Sequence, residues 1–264
     1  MGLYADIGTS EMKAVEFGKE NSRKIVMIPG NMMSWRQFEN VIPLLQKDYH
    51  VIAISTDGYD EKGTVFTTAE AMAEKLEGYI RDNLDSKIDL LFGESFGSAT
   101  AAVLFHRQKV EVGSLIMSGP QYMNLGVFSK ILSYIIPRNQ YKLLGKMKNT
   151  RKLPILLKLY TRGDDKKLLK QFEYTPEKIS FKTLQNTTDE ALRLYGQIDR
   201  FNPDPEAKVS IWYGEREPNM KKAIKKLKKA FPNAQIHPFN DYGHGQIISD
   251  PERMADNIVR FIEQ

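Results

Sequence analysis

Residues 88–104 read IDLLFGESFGSATAAVL, and this stretch decides the fold. It opens with an apolar run of strand length and ends with small residues that favour a helix. Between them, Gly93-Glu94-Ser95-Phe96-Gly97 places a glycine two positions before and two positions after a serine. A sharp strand-to-helix turn leaves no space for side chains at those two positions. The sequence therefore predicts that the Ser95 hydroxyl stands clear of the sheet at a helix N-terminus, where backbone N–H groups favour developing negative charge.

Other apolar runs of strand length recur along the chain and alternate with amphipathic segments. The predicted strands are 3–7, 12–17, 24–28, 50–54, 88–92, 113–117, 209–213 and 235–239. The predicted helices among them are 34–48, 67–84, 220–231 and a final helix after Asp250-Pro251. This alternation predicts an α/β fold, with a mostly parallel, doubly wound sheet and helices on both faces.

The alternation stops between Gln121 and Pro205. Here the pattern indicates helices near 125–136, 141–148, 154–160 with 164–172, and 176–195, and it predicts no strand. Because the strand pattern resumes at Val209, we interpret this stretch as an insertion. The predicted organisation is a core domain formed by 1–120 and 206–264, with an all-helical cap or lid at 121–205.

Composition excludes several classes of protein. Among 264 residues there is no cysteine, which excludes disulfides, thiolate metal sites and a catalytic cysteine. No apolar run is long enough to span a bilayer, and the N-terminus does not resemble a secretory signal. We therefore expect a cytoplasmic protein without stable membrane insertion, metal or cofactor. The sequence carries no indication of an oligomeric state.

Positive charge is concentrated in the predicted cap. Residues 121–205 contain 16 Lys and Arg against 8 Asp and Glu, whereas the rest of the chain contains 22 against 25. This excess either attracts anionic substrates, such as acidic esters or acyl-CoA, or is only solvated surface. The run KKAIKKLKK at 221–229 keeps its apolar residues at helical spacing, so its lysines form a solvated helix face. We expect no nucleic-acid partner.

A serine hydroxyl needs a general base to act as a nucleophile at neutral pH. The chain has four histidines. His50 and His237 fall in predicted strands, and His106 lies too far along the helix that follows Ser95 to reach back to it. His244 lies between two glycines in a loop after the last strand, at the sheet edge where the strands end. His244 is therefore the predicted base.

A carboxylate should orient that base from another strand-end loop. The strand at 209–213 is followed by Gly214-Glu215-Arg216-Glu217-Pro218. Glu217 is the preferred acid, Glu215 is the second choice, and Asp241 is a weaker candidate.

Acyl transfer also needs an oxyanion hole, formed by two N–H groups aimed at the carbonyl oxygen. One candidate is the amide of Phe96, directly after the serine. The other is the amide of Asn31, because Gly30 allows the loop after the strand at 24–28 to approach closely. A plain β-turn is the alternative interpretation of Pro29-Gly30-Asn31.

The order Ser95, Glu217, His244 resembles the α/β-hydrolase superfamily over nearly the whole chain. The segment 4–8 and the Pro29-Gly30 loop look like that family's opening strand and oxyanion loop, and 121–205 falls where the family inserts a lid. The resemblance implies a nucleophile at Ser95, an acid at Glu217, a base at His244 and oxyanion donors at Asn31 and Phe96. The chain departs from the family pattern in having Pro29 where histidine is common, Ser55 where an acid is common, Ser98 where a second glycine is common, and Glu rather than Asp as the acid.

These residues predict a serine hydrolase acting on the carboxylic ester of a small or medium acyl substrate. A serine nucleophile argues against dehalogenases and epoxide hydrolases of this fold, which use a carboxylate. A thioesterase, a peptidase, a C–C bond hydrolase, an interfacial lipase and a non-catalytic small-molecule-binding protein remain as alternatives. Met32, Leu125 and Phe128 are candidate substrate-binding residues. The apolar cap residues either line an acyl pocket or pack the cap on the core; they are Leu125, Val127, Phe128, Ile131, Leu132, Ile135 and Ile136.

Overall fold

A computed structural model describes residues 12–120, 126–150, 175–201, 203 and 206–264, with the backbone alone at 147–150. The strand predicted at 3–7, the helices predicted at 154–160 and 164–172, and the candidate Leu125 lie outside the described residues. None of the helices in the described ranges is both long and apolar enough to cross a bilayer.

Seven strands form one twisted sheet in the order β1-β3-β2-β5-β7-β8-β9. The strands are β1 (Lys13–Phe17), β2 (Lys24–Ile28), β3 (His50–Ser55), β5 (Leu90–Glu94), β7 (Ser114–Ser118), β8 (Lys208–Gly214) and β9 (Gln235–Phe239). Strand β1 pairs antiparallel with β3, and every other neighbouring pair in this sheet is parallel. Two short strands, β4 (Lys87–Ile88) and β6 (Glu111–Val112), pair separately. The predicted mostly parallel sheet is confirmed.

Helices cover both faces of the sheet, because β2, β3, β5 and β7 are apolar on both sides and almost fully buried. The helices are α1 (Ile42–Leu45), α2 (Ala69–Asn83), α3 (Gly97–Arg107), α4 (Ser129–Thr150), α5 (Phe181–Gln197), α6 (Met220–Ala230) and α7 (Pro251–Glu263). One apolar cluster lies between the sheet and α2, α3 and α6, and a second lies between the sheet and α1 and α7. The predicted doubly wound α/β architecture is therefore confirmed.

Helix α6 carries the lysine-rich run. Its buried residues are Met220, Ala223, Leu227 and Ala230, at helical spacing, and most of its lysines face solvent. This agrees with the interpretation of 221–229 as a solvated helix face.

The single helix predicted at 34–48 is wrong. The structure has a short 3-10 helix at Trp35–Phe38 and then α1, with Pro43 in its first turn. A proline ring clashes with the carbonyl four residues earlier and donates no N–H, so it is best accommodated in the first turn of a helix. The chain therefore begins a new helix just before Pro43.

The two helices predicted at 125–136 and 141–148 are instead one helix, α4, which contains Pro137 in its interior. Proline cannot donate to the carbonyl of Ser133, four residues earlier. That carbonyl accepts a hydrogen bond from the side-chain amide of Gln185 on α5, at 3.0 Å. A side chain from a neighbouring helix thus replaces the lost partner and allows α4 to continue.

Helix α5 is bound firmly to the core. The backbone N–H of Phe66 donates to Thr183 Oγ1 at 3.3 Å, and its carbonyl accepts from Asn186 Nδ2 at 2.7 Å. The N–H of Ala69, at the start of α2, donates to the buried carboxylate of Glu190 at 2.7 Å. Helix α5, which belongs to the predicted insertion, therefore packs against the segment before α2.

Candidate active site

Ser95 lies in the tight turn between β5 and α3. Its backbone φ is 50°, in the left-handed region that a residue with a side chain rarely adopts. A Cβ on Gly97 would lie 2.4 Å from the carbonyl oxygen of Ile28, and one on Gly93 would lie 2.7 Å from Cα of Ser98. The Ser95 N–H donates to the carbonyl of Ser118 on the adjacent strand at 2.7 Å. The predicted glycine requirement follows directly from this crowding.

His244 reaches Ser95 from the loop after β9. Its Nε2 lies 2.9 Å from Ser95 Oγ, although 149 positions separate the two residues in sequence. The other histidines make contacts elsewhere: His50 pairs with Glu16 at 2.7 Å, His106 stacks on Phe201, and His237 packs beside Trp212. The structure therefore brings to the serine the one histidine that the sequence selected.

Glu217 holds the opposite side of the imidazole. Its Oε2 lies 2.9 Å from His244 Nδ1, and its Oε1 accepts from the N–H of Gly214 at 2.8 Å. The side chain is only 1% exposed. By contrast, Glu215 is exposed and Asp241 pairs with Arg216 at the surface. Of the three candidate acids, Glu217 is the one that contacts the histidine.

The charge environment favours a protonated imidazole. Burial lowers the pKa of His244, but the hydrogen bond to Glu217 and the negative charges of Glu217 and Glu94 outweigh burial, and the pKa is raised overall. Glu94 itself is 1% exposed, and burial raises its pKa to about 7. The site thus contains a base, His244, and a second acid, Glu94, that influence each other's pKa.

The loop after β2 approaches the serine closely. A Cβ on Gly30 would lie 3.4 Å from Ser95 Cβ, and the Gly30 N–H donates to the buried side chain of Gln37 at 2.8 Å. Ser55, which departs from the family pattern, accepts a hydrogen bond from the N–H of Trp35 at 3.0 Å. Gly30, and with it the loop that carries Asn31, therefore lies against Ser95, and Phe96 follows Ser95 in the chain.

Tyr59 links this loop to α5 and was missed by the sequence analysis. Its hydroxyl donates to the side-chain oxygen of Asn31 and lies 3.4 Å from Thr187 Oγ1. Tyr59 is fully buried, and burial raises the pKa of its hydroxyl, which keeps it neutral. No local pattern indicates such a link, because Thr187 is 128 positions away.

The candidate substrate-binding residues differ in exposure. Met32 is half-buried in the loop after β2, with a positive φ of 66°. Three apolar side chains of the insertion are exposed: Phe128 at 62%, Val127 at 90% and Ile131 at 60%. These three side chains do not pack the insertion on the core, which corrects that expectation for them.

Across the described ranges, no group of three or more His, Asp or Glu side chains is arranged to hold a metal ion.

Comparison with known proteins gives a consistent result. A model of the α/β hydrolase fold matches residues 24–251. An α/β hydrolase family protein from Desulfitobacterium hafniense is 21% identical, with a TM-score of 0.78 over 95% of this chain and 100% of that chain. MenH from S. aureus is 17% identical, with a TM-score of 0.74 over 97% and 98%. A carboxylesterase from Nitrososphaera gargenis is 16% identical, with a TM-score of 0.74 over 99% and 97%. At these identities, the solved structures share the fold.

Proposed function

The chain belongs to the α/β hydrolase fold family, and on that premise we propose that it is a serine hydrolase that cleaves carboxylic esters of small or medium acyl groups. The observation that carries the proposal is the continuous line of contacts from Ser95 through His244 to Glu217, each 2.9 Å long. A nucleophile, a base and an orienting acid in this order form a catalytic triad.

In the proposed reaction, His244 Nε2 takes the proton from Ser95 Oγ as that oxygen attacks the ester carbonyl carbon. The amides of Asn31 and Phe96 hold the resulting oxyanion. The tetrahedral intermediate collapses to an acyl-enzyme, and the leaving alkoxide receives the proton from His244. Water, deprotonated by His244, then attacks the acyl carbon, and His244 returns that proton to Ser95 Oγ as the carboxylic acid leaves. Glu217 keeps the proton on Nδ1 of the imidazole and stabilises its cation.

The position of Ser95 supports the oxyanion assignment. It precedes the first turn of α3, whose free N–H groups and dipole favour negative charge. The close approach of Gly30 to Ser95 supports the assignment of the neighbouring Asn31 amide as the second donor. A β-turn with no role in catalysis would not require this approach.

We also propose that 121–205 acts as a cap over a core formed by 1–120 and 206–264. Thr175 Oγ1 lies 4.0 Å from Met33 Sδ in the oxyanion loop, and Thr187 lies beside Tyr59. The insertion therefore contacts the loop that carries Asn31. Together with Met32 of the same loop, the cap would then select the substrate.

Hydrolysis of a short-chain nitrophenyl ester by the parent and by Ser95→Ala tests the proposal. We expect the variant to lose at least about a thousandfold in kcat with an unchanged circular dichroism spectrum. Equal rates would refute the assignment of Ser95. A series of acyl chain lengths, with matched thioesters, then separates an esterase from a thioesterase by their relative kcat/KM.

One observation favours an interfacial lipase as a second candidate. The start of α4 and the turn before it expose Val127, Phe128, Ile131, Tyr134 and Ile135, with Lys130 and Arg138 nearby. Exposed apolar and basic side chains on one helix are typical of binding at a lipid surface. If so, the rate should rise above the solubility limit of the ester, and Phe128→Ser with Ile131→Ser should abolish that rise without slowing hydrolysis of a dissolved ester.

A further inference from the structure

Glu94 is a buried acid beside the candidate nucleophile that the proposed reaction does not use. It is the last residue of β5, and its partner across the sheet is Ser118. The residue is 1% exposed, and among the described residues neither carboxylate oxygen has a hydrogen-bond partner. A carboxyl group in such a place is costly when ionised, so its presence calls for a physical reason.

The carboxyl group of Glu94 faces the loop that carries the base. A Cβ added to Gly245, the residue after His244, would lie 3.4 Å from Glu94 Oε1. The charged side chains that act on Glu94 are His244 from this loop and Glu217 from the loop after β8, and the nearby hydroxyl of Ser118 also favours its ionised form. Glu94 in turn is one of the charges that favour the protonated form of His244.

We propose that Glu94 is a positioning residue for the base, a second acid beside Glu217 whose negative charge stabilises the imidazolium form of His244 during acyl transfer. The proposal rests on the proposed function. Glu217 acts through a direct hydrogen bond at Nδ1, whereas Glu94 acts through space. No proton moves to Glu94 in the reaction, since the proton leaving Ser95 stays on Nε2 until the leaving group takes it.

The burial of Glu94 couples its titration to that of His244. Burial raises the pKa of Glu94 to about 7, so Glu94 changes its charge in the range where His244 also titrates. The two groups are then coupled: an ionised Glu94 favours a protonated His244, and a protonated His244 favours an ionised Glu94. The imidazole is consequently harder to deprotonate, but its cation in the transition state is more stable.

The test compares the pH profile of kcat/KM in the parent and in Glu94→Gln, which keeps the shape and removes the charge. Loss of the charge lowers the pKa of His244, so the acidic limb should move to lower pH, while the plateau rate falls about threefold to tenfold. Glu215→Gln is the matched control, because it removes the same charge from an exposed side chain close to Glu217. The control profile should coincide with that of the parent.

A nuclear magnetic resonance titration of the His244 ring gives a readout that does not depend on turnover. We expect its midpoint to fall in Glu94→Gln and to stay in Glu215→Gln, also in the Ser95→Ala background. An unchanged midpoint in Glu94→Gln would overturn the proposal even if the protein is an esterase. A shifted midpoint in a protein with no hydrolytic activity would leave the coupling intact and count against the proposed function.

Infrared spectroscopy of the parent keeps the proposal testable if the variant does not fold. Carbon-13 labelling of the glutamate carboxyl groups shifts their infrared bands, so that the band of Glu94 is distinguished from that of Asp57. Asp57 is another buried acid, and burial raises its pKa. At about pH 5.5, where an ordinary glutamate is ionised, a labelled carboxylic-acid band should remain and then disappear as the pH rises. A labelled acid band that persists above about pH 9 would overturn the proposal, because a Glu94 that stays neutral has no charge with which to stabilise the imidazolium.

Discussion

The carboxylate of Glu217 lies 2.9 Å from Nδ1 of His244 and is almost completely shielded from solvent. Its other oxygen accepts from the N–H of Gly214, so the carboxylate cannot rotate freely. A buried, anchored acid of this kind fixes which nitrogen of the imidazole carries the proton. The nitrogen facing Ser95 is then left free to accept one.

Replacement of this acid should have a large effect on rate. In Glu217→Gln, the hydrogen bond and charge that favour the imidazolium are lost, so we expect kcat to fall by about a hundredfold to ten-thousandfold. The pKa of His244 should fall as well, which moves the acidic limb of the pH profile to lower pH. Steady-state kinetics across pH provide the measurement, with Glu215→Gln as the exposed control. Equal loss in both variants would contradict the role of Glu217.

The link from Tyr59 to Asn31 predicts a smaller, specific effect. Tyr59→Phe removes the hydroxyl that donates to the Asn31 side chain, so the oxyanion loop should be less well ordered. We expect kcat to fall by about tenfold with little change in KM, because the oxyanion forms only in the transition state. Tyr79→Phe is a matched control, since its hydroxyl bonds Glu16 instead. A change in KM alone would contradict this prediction.

Crowding at the nucleophile turn predicts that Gly97→Ala is not tolerated. The new Cβ would lie 2.4 Å from the carbonyl oxygen of Ile28 and 2.5 Å from that of Pro29, and neither backbone can yield without moving β2. We expect a lower melting temperature and a loss of ester hydrolysis. The control is Gly78→Ala in α2, where the nearest atom is the end of the Arg81 side chain at 3.8 Å. This change should stabilise the protein by up to about 1 kcal/mol, and equal melting temperatures in the two variants would refute the argument.

Because Gln185 donates to the Ser133 carbonyl, we expect the effects of Gln185→Ala and Pro137→Ala on the free energy of unfolding to be non-additive. Gln185→Ala should reduce the free energy of unfolding by about 1 kcal/mol, because the carbonyl that Pro137 leaves unpaired loses its donor. In a Pro137→Ala background, residue 137 has a backbone N–H that can donate to the Ser133 carbonyl. Gln185→Ala should then reduce the free energy of unfolding by less. A double-mutant cycle from denaturant unfolding measures the difference. Strict additivity would contradict this explanation of the continuous helix.

Burial of Glu94 predicts a pH-dependent stability. Its folded pKa of about 7 lies above the unfolded value of 4.5, so the ionised form opposes folding. The free energy of unfolding is therefore not reduced by Glu94 below the unfolded pKa. It declines as the pH rises through about 7, by about 3 kcal/mol at most. The stability of Glu94→Gln relative to that of the parent should therefore increase as the pH rises. A constant difference in melting temperature across pH would contradict this sign.

Sequence reasoning predicted the seven strands of the main sheet, its doubly wound architecture and the three residues that meet at its edge, but not the short pair formed by β4 and β6. It succeeded there because Gly93 and Gly97 are required by local crowding, and because His244 and Glu217 follow strands that end at the same edge. It failed where a distant side chain decides the outcome. The partner that Gln185 supplies to the Ser133 carbonyl, 52 positions away, has no local signature. The same holds for Tyr59 and Thr187, whose contact depends on how α5 packs.

The central claim is that Ser95 is a nucleophile activated by His244. Its most direct test is the intact mass of the protein after incubation with a fluorophosphonate, followed by peptide mapping. We predict a single adduct on the peptide that contains Ser95, absent from Ser95→Ala and formed far more slowly in His244→Ala. An adduct formed equally fast in all three proteins, one mapped to another residue, or none in the parent would contradict the claim.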